Sequence, residues 1–304
     1  MAALRAGIPR VVAGLPKARG GEAAEAIMTT DRRPKEASLR LSIGGRDVGM
    51  AAVAKGSGMV APNMGTMLAF IVSDVKASPA ALRRALKGVV EGTFNMLDID
   101  GDTSCNDMVV ALANGRAGNR TVGVGGPDYR ALREALAALC VRMVRSMASD
   151  GDGATKALEV RVTGAPTDAS ARAMAKAVVG SLRVKAAVHG GDPNWGRVLV
   201  AAGMEAPSGL KLDRSTVAMG RPGRVEVVAR GGRRTGDRGR ARSLLKGPEV
   251  VIELRLHQGK GTARAWGCDL STQYVEINAD YETHLRAAVG RGKTPSEVRD
   301  SGGP

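Results

Sequence analysis

The chain has 304 residues, 43% of them hydrophobic but only 2% aromatic, so it can bury a sizeable core built from Ala, Val, Leu, Ile and Met rather than from rings. It carries 45 Lys and Arg against 30 Asp and Glu, a net charge of +15, which raises nucleic acid or acidic molecules as candidate partners. No apolar run is long enough to span a membrane and Met1 to Lys17 lack a signal core; Cys105, Cys140 and Cys268, without a CxxC pair, indicate neither a zinc site nor a disulfide framework, so a reducing cytoplasm is the expected compartment.

In chain order, the apolar run Met67 to Val72 reads as a buried strand. Ser78 and Pro79 predict a helix start, with Leu82, Leu86, Val89 and Val90 on its inner face. Asp128 to Met147 is the clearest helix, with Leu132, Leu136, Leu139 and Met143 as its stripe. Leu158, Val160 and Val162 alternate with Glu159, Arg161 and Thr163 as in a half-buried strand. Thr167 or Asp168 caps a helix running to about Leu182, and Asn194 to Met204 predicts a third. Between Arg221 and Lys246, nine basic residues face only Glu226 and Asp237, which predicts a solvated, mobile loop between two strands. A nucleic-acid footprint there would also need stacking aromatics or a recognition fold, and neither is visible. Ile252, Leu254 and Leu256 mark a late strand, Tyr274 to Ile277 a short one, and residues 284–304 a disordered tail. Strands and helices mix without a regular βαβ beat, which predicts an α+β fold in layers.

One stretch carries chemistry. In Lys55-Gly56-Ser57-Gly58-Met59-Val60-Ala61-Pro62-Asn63-Met64-Gly65-Thr66, a threonine follows a glycine at the mouth of a strand. Its hydroxyl could attack the Gly65 carbonyl and release a chain beginning at Thr66, whose α-amine, titrating near ~8, would then serve the hydroxyl as base. On its own the motif is weak, because a Gly-Thr pair before a strand is usually an ordinary turn. The carboxylates Asp98, Asp100, Asp102 and Asp107 suggest calcium. However, Thr103 and Val109 stand where an EF-hand needs Gly and Glu, so turn contacts or lining of a site around the threonine fit better. His189 invites a general-base role, against the commoner reading of a lone structural histidine.

Further blocks change the weight of that motif. Ala26 to Asp31 with Pro34-Lys35, Phe94-Asn95 with Asp98 to Asp107, Leu112 to Gly115, Gly151 to Lys156, His189 to Arg197, Trp266 to Leu270 and Ile277 to Thr283 stand in order along the chain. Together with Lys55 to Leu68 they resemble the bifunctional glutamate/ornithine N-acetyltransferase family of arginine biosynthesis. The resemblance implies a layered sandwich of β-sheets and helices. It implies autocleavage between Gly65 and Thr66, and ping-pong transfer of acetyl from N2-acetyl-L-ornithine to L-glutamate through an acetyl-Thr66 ester. It implies no metal and no organic cofactor, with acetyl-CoA as an additional donor in some members. Substrate contacts then fall on Thr29 (or its neighbour Thr30), Lys55, Thr66, Asp152, Asn278 and Thr283. Gly65 replaces a more usual Ala, and Asp152 a more usual Glu, one methylene longer. The implied parts are residues 1–65 as the end of an α-subunit, 66–283 as a β-subunit, and an α2β2 assembly in the cytoplasm.

The family's oxyanion Thr-Gly pair lies upstream of the nucleophile, and here Met1 to Pro9 resembles the segment just after it. Thr163-Gly164 lies on the wrong side of Thr66 and does not match. The fold is therefore expected to be N-terminally incomplete, and the polypeptide alone poorly active or unstable. The alternatives are an inactive relative and an N-terminal-nucleophile amidohydrolase using the same threonine.

Overall fold

The computed structural model describes residues 1–15, 20–61 and 67–279. Gly65, Thr66, Thr283 and the tail 284–304 lie outside the described residues. Helices α1 (Ala2–Gly14) and α2 (Gly20–Ala26) precede a hairpin of β1 (Lys35–Ile43) and β2 (Arg46–Lys55). Its turn, Gly44-Gly45, has positive φ at both residues, as a tight hairpin requires. Then follow β3 (Leu68–Ser73), α3 (Pro79–Glu91), β4 (Leu97–Asp98), β5 (Met108–Ala113), α4 (Gly126–Ala148), β6 (Ala157–Ala165), α5 (Asp168–Gly180), α6 (Leu182–His189) and α7 (Trp195–Met204). The chain continues through β7 (Thr216–Arg221), β8 (Arg224–Arg230), β9 (Arg233–Arg234), α8 (Arg238–Leu244), β10 (Glu249–Arg255), β11 (Gly261–Cys268) and α9 (Thr272–Ala279).

The strands form two sheets, ordered β1-β2-β3-β5 and β4-β11-β6-β10-β7-β8-β9. Helix α4 touches β1 and β2 on one side and β11 and β6 on the other, so the architecture is α+β with helices between sheets. Its stripe is the predicted one: Leu132, Leu136, Leu139 and Met143 are all buried. Alanines and valines fill most of the remaining core, and Phe94 and Trp266 are its buried rings. On the far face of the larger sheet, Glu159 is buried with Arg161 at 2.8 Å, and Arg161 reaches Glu253 at 3.5 Å. The apolar side chains Leu4, Ile8, Val11 and Val12 of α1 are exposed, as are Val72, Met108 and Leu112 on β3 and β5.

Several expectations are corrected. Met67 to Val72 is a strand, but it alternates: Ala69 and Ile71 are buried while Val72 is exposed, because only one face of the small sheet is covered by helix. Helix α3 starts as predicted, with Ser78 accepting from the Ala81 amide, but its buried row is Ala81, Ala85 and Val89. Small residues let the helix approach closely, leaving Leu86 and Val90 to pack at the flanks. The helix capped by Thr167 stops at Gly180, and Ser181 caps a separate α6 through the Val184 amide. The basic stretch 221–246 is no mobile loop. Val225, Val227 and Ala229 pair with β7, and Asp237 caps α8 through the Gly239 and Arg240 amides. Tyr274 to Ile277 is helical, within α9, which buries none of its residues.

Lys185 on α6 is fully buried and gives its ammonium to three backbone carbonyls, those of Asp98, Ile99 and Cys268, at 3.0 to 3.1 Å. It thereby ties the end of β11 to the loop after β4. Replacing it in Lys185→Met strands three buried acceptors, and a cost of about 3 kcal/mol is expected. The check is a lowered denaturant midpoint at unchanged m-value.

Candidate active site

The site is built where three chain segments meet. Lys35 opens β1 with its side chain wholly buried between two carboxylates, Asp31 at 2.5 Å and Asp150 at 2.6 Å. Asp31 also accepts the amides of Gly56 at 2.9 Å and Thr29 at 3.1 Å. Asp150, just past α4, accepts the amide of Arg32 and its guanidinium. Burial pushes the Asp31 carboxyl up, but the Lys35 charge and the two amides outweigh it and leave it below its ordinary value. The cluster thus pins residues 29–35, the end of β2 and the 150–154 turn to one another.

On this frame sit three of the predicted residues. The Lys55 ammonium lies 3.4 Å from the Thr29 hydroxyl. Thr30 shares a 2.5 Å hydrogen bond with the buried Ser57. The Asp152 amide donates to the Ser57 carbonyl at 2.7 Å, and its carboxylate lies so close to Gly58 that a Cβ there would clash with it. Thr29, Lys55 and Asp152 are therefore brought together. Asn278 is not joined to them: it is exposed on α9 and donates to its own helix, to the Tyr274 carbonyl, at 3.0 Å.

The loop between β4 and β5 grips the chain on both sides of residues 62–66. Asp100 accepts the amides of Met59 at 2.6 Å and Val60 at 3.0 Å, and the Asp102 carbonyl accepts that of Ala61. On the far side Asp107 accepts the Met67 amide, and Met108 donates to the Met67 carbonyl. Among the described residues no three His, Cys, Asp or Glu side chains gather as a metal site. Asp98, with Lys185 and Lys176 nearby, is held above the usual carboxylate range by burial, which those two cations offset only in part.

The sequence reading missed Ser57 and Tyr274. The Tyr274 hydroxyl lies 3.4 Å from Asp100; burial and then the Asp100, Asp102 and Asp152 charges push its pKa up, so it stays a neutral donor. Tyr274 falls between two family blocks, Trp266 to Leu270 and Ile277 to Thr283, and was read only as part of a short strand. His189 is fixed by Asp269 at 2.7 Å, and Asp269 also accepts the Thr155 and Lys156 amides, so the histidine braces the turn that carries Asp152. In the Gly191 to Arg197 block, Asn194 caps α7 and Asp192 pairs with Arg238, which is fold work. Cys140 and Cys268 are buried, and burial raises their thiols to about 12 and about 11. A cavity of about 320 Å³ lies between α4 and β6, β10 and β11, and no predicted site residue lines it.

A model of the ArgJ family matches residues 1–283. The arginine biosynthesis bifunctional protein ArgJ of Symbiobacterium thermophilum is 49% identical over 285 residues, covering 91% of this chain and 68% of that protein. Its namesake from Geobacillus stearothermophilus is 43% identical, over 93% of this chain and 68% of that protein. The chain thus spans about two thirds of the length of these relatives. A crystal structure of the arginine biosynthesis bifunctional protein from Bacillus halodurans superposes with TM-score 0.64 at 40% identity, covering 68% of this chain and 96% of that one.

Lys35→Met leaves the buried Asp31 without its cation and Asp150 with Arg32 alone, at an expected cost of about 3–5 kcal/mol near neutral pH. The pH dependence should also change sign. In the parent, the depressed Asp31 contributes stability above its unfolded pKa and loses it as pH falls through the folded value. In the variant Asp31 keeps its burial without the Lys35 charge, so its carboxyl should titrate above its unfolded value and stability should rise as pH falls from 7 towards 5. Denaturant midpoints at the two pH values check this.

Proposed function

The chain belongs to the ArgJ family, and we propose that it carries acetyl from N2-acetyl-L-ornithine to L-glutamate on Thr66, after cutting itself between Gly65 and Thr66. Membership makes it a transferase of arginine biosynthesis acting on small molecules. The observation that carries the finer reading is the convergence of Thr29, Lys55 and Asp152 beside a segment, 62–66, that is gripped on both flanks.

In the cut, the Thr66 hydroxyl oxygen adds to the Gly65 carbonyl carbon. The C–N bond breaks, the hydroxyl proton passes to the nitrogen, and water hydrolyses the resulting ester. The products are a Gly65 carboxylate and a chain headed by Thr66 with a free amine. In transfer, the same oxygen attacks the acetyl carbonyl of acetylornithine. The amine takes the hydroxyl proton and yields it to the departing ornithine nitrogen, and glutamate's amine reverses the step. Lys55 supplies a point charge for a substrate carboxylate. Asp152 answers the ornithine δ-ammonium, while Thr283, and Asn278 once released from the Tyr274 carbonyl, complete the contacts. A threonine ester calls on no metal or organic cofactor, and acetyl-CoA is the proposed second donor to the same oxygen.

The solved B. halodurans chain supports the cut: 68% of this chain matches 96% of it, which makes it about as long as residues 66–283. The two products, 1–65 and the chain from Thr66, form the unit that pairs into α2β2 in the cytoplasm. No described helix is long and apolar enough to cross a membrane.

Intact mass tests the reading, on the chain alone and co-expressed with the part of the S. thermophilum relative that it does not match. Two fragments meeting at Gly65 and Thr66 are expected, with acetyl transfer from acetylornithine to glutamate; Thr66→Ala stays whole and transfers nothing. A parent chain that remains whole and inactive in both settings, or a Thr66→Ala chain that still cuts, sinks the reading. Asp152→Asn should cut normally yet raise KM for acetylornithine about tenfold or more, through loss of the charge pair.

A further inference from the structure

Asp152 stands between Gly151 and Gly153, the second with φ of +65°, so its own backbone supplies little stiffness. Its neighbours supply it instead. Before it lies the Asp31–Lys35–Asp150 cluster; after it, the segment that follows β11 closes over the turn. Ser271 is buried and donates its hydroxyl to the Gly153 carbonyl at 2.6 Å. Asp269 is also buried, and one of its oxygens accepts the amides of Thr155 and Lys156, both at 2.8 Å. The other oxygen takes the Thr155 hydroxyl at 2.5 Å and meets His189 at 2.7 Å. The Asp269 amide in turn donates to the Lys156 carbonyl at 3.0 Å. The Lys156 ammonium then reaches the carbonyls of Val188 and His189 at the end of α6, at 2.8 and 3.0 Å. There is no slack in this clamp: a Cβ on Gly153 would run into the Tyr274 amide, and one on Gly151 would come within 2.8 Å of the Cys268 sulfur.

We propose that Asp269 and Ser271 are positioning residues that set how far the Asp152 carboxylate stands into the site, and with it the preference for an acetyl donor whose side chain ends in a positive charge. This rests on the role of Asp152 proposed above. Aspartate has a single methylene, so its carboxylate reaches only as far as its backbone carries it, and any slip of the turn passes straight to the charge. An ion pair weakens with distance, and a mobile carboxylate must also be ordered when the donor binds. The clamp removes both losses. On the opposite side the Asp152 amide donates to the Ser57 carbonyl at 2.7 Å, and the carboxylate presses on Gly58. The turn is therefore confined between residues 57–58 and 269–271. Ser57 lies two residues beyond Lys55, so the same contact holds the two charges, one for each end of the donor, at a set spacing. Asp269 is out of water with its oxygens already occupied by four donors; it acts through the turn, without touching substrate.

Two substitutions loosen the clamp by different amounts: Asp269→Ala removes four hydrogen bonds and Ser271→Ala one. The assays are kcat and KM in whichever form the parent is active, with N2-acetyl-L-ornithine and with N2-acetyl-L-norleucine, in which a methyl replaces the ammonium. Each variant is expected to raise KM for acetylornithine about tenfold with kcat largely kept, and to leave kcat/KM for acetylnorleucine as in the parent. Asp269→Asn, which keeps an acceptor for the Thr155 and Lys156 amides, should recover most of the lost affinity. In an Asp152→Asn background, adding Ser271→Ala should change KM by less than about twofold, because both act through one carboxylate. Thermal midpoints identify a variant that folds poorly; should Asp269→Ala be one, Ser271→Ala decides. A parental KM for acetylornithine in the folded variants overturns the inference. So does an equal loss on both donors, the mark of a general loosening of the fold. If Asp152→Asn raises KM while the clamp variants do not, only this inference falls; if Asp152→Asn leaves KM unchanged, the reading of Asp152 falls and takes this inference with it.

Discussion

The buried Asp31–Lys35–Asp150 cluster is the interaction on which the site depends. Two carboxylates and one ammonium out of water would be prohibitive singly. They are tolerable here because the Lys35 charge touches both acids within hydrogen-bond distance and backbone amides complete the carboxylates. An apolar trio could fill the same volume, but it could not orient three strands of backbone. Asp31 fixes Thr29 and Gly56 by their amides, so the spacing of Thr29 from Lys55 follows from the cluster. Asp150 fixes where α4 ends, and two residues later Asp152 is delivered against Ser57 and Gly58.

A second set of carboxylates, on the Asp-rich loop, works on the opposite flank. Asp100 and Asp107 accept backbone amides of another segment, those of Met59, Val60 and Met67. The loop is itself anchored from below. Lys185 holds Asp98 and Ile99 by their carbonyls, and Lys176 holds Asn95 and Leu97. Buried lysines thus serve as cross-links in a core poor in rings. Alanine and valine allow close helix packing but offer few large side chains with which to lock a loop.

Much of this was legible in the chain. Ser78, Thr167 and Asn194 declared their helices because a cap is a local event, one hydroxyl or amide with one backbone N–H. The stripe of α4 was legible because large residues bury where they recur. The row on α3 was misread by one position because alanine carries too little hydrophobicity to show which side is inward. Residues 221–246 look too charged to fold, yet in β8 the charged Arg224 and Glu226 alternate with Val225 and Val227, and the strand pairs along β7. At the site, the motif residues Thr29, Lys55 and Asp152 come together. Ser57, Tyr274 and the duties of Asp107 were not legible, because each depends on a partner distant in sequence.

The same geometry bears on what a cut would leave behind. Strand β2 lies before Gly65 and β3 after Thr66, and they pair antiparallel from Met50 with Ser73 to Lys55 with Leu68. Asp31 and Lys35 would belong to the first product, Asp150 to the second, so the buried ion cluster would span the break. Separating the products would expose a ladder of backbone hydrogen bonds and strand three charges, a far larger cost than one peptide bond's worth of chain connectivity. Asp100 and Asp107 both lie on the second product, and they grip Met59 and Val60 of the first as well as Met67 of the second. Scission would therefore free an amine at one point while leaving every surrounding contact in place. A nucleophile that must first be made by breaking the backbone needs that rigidity.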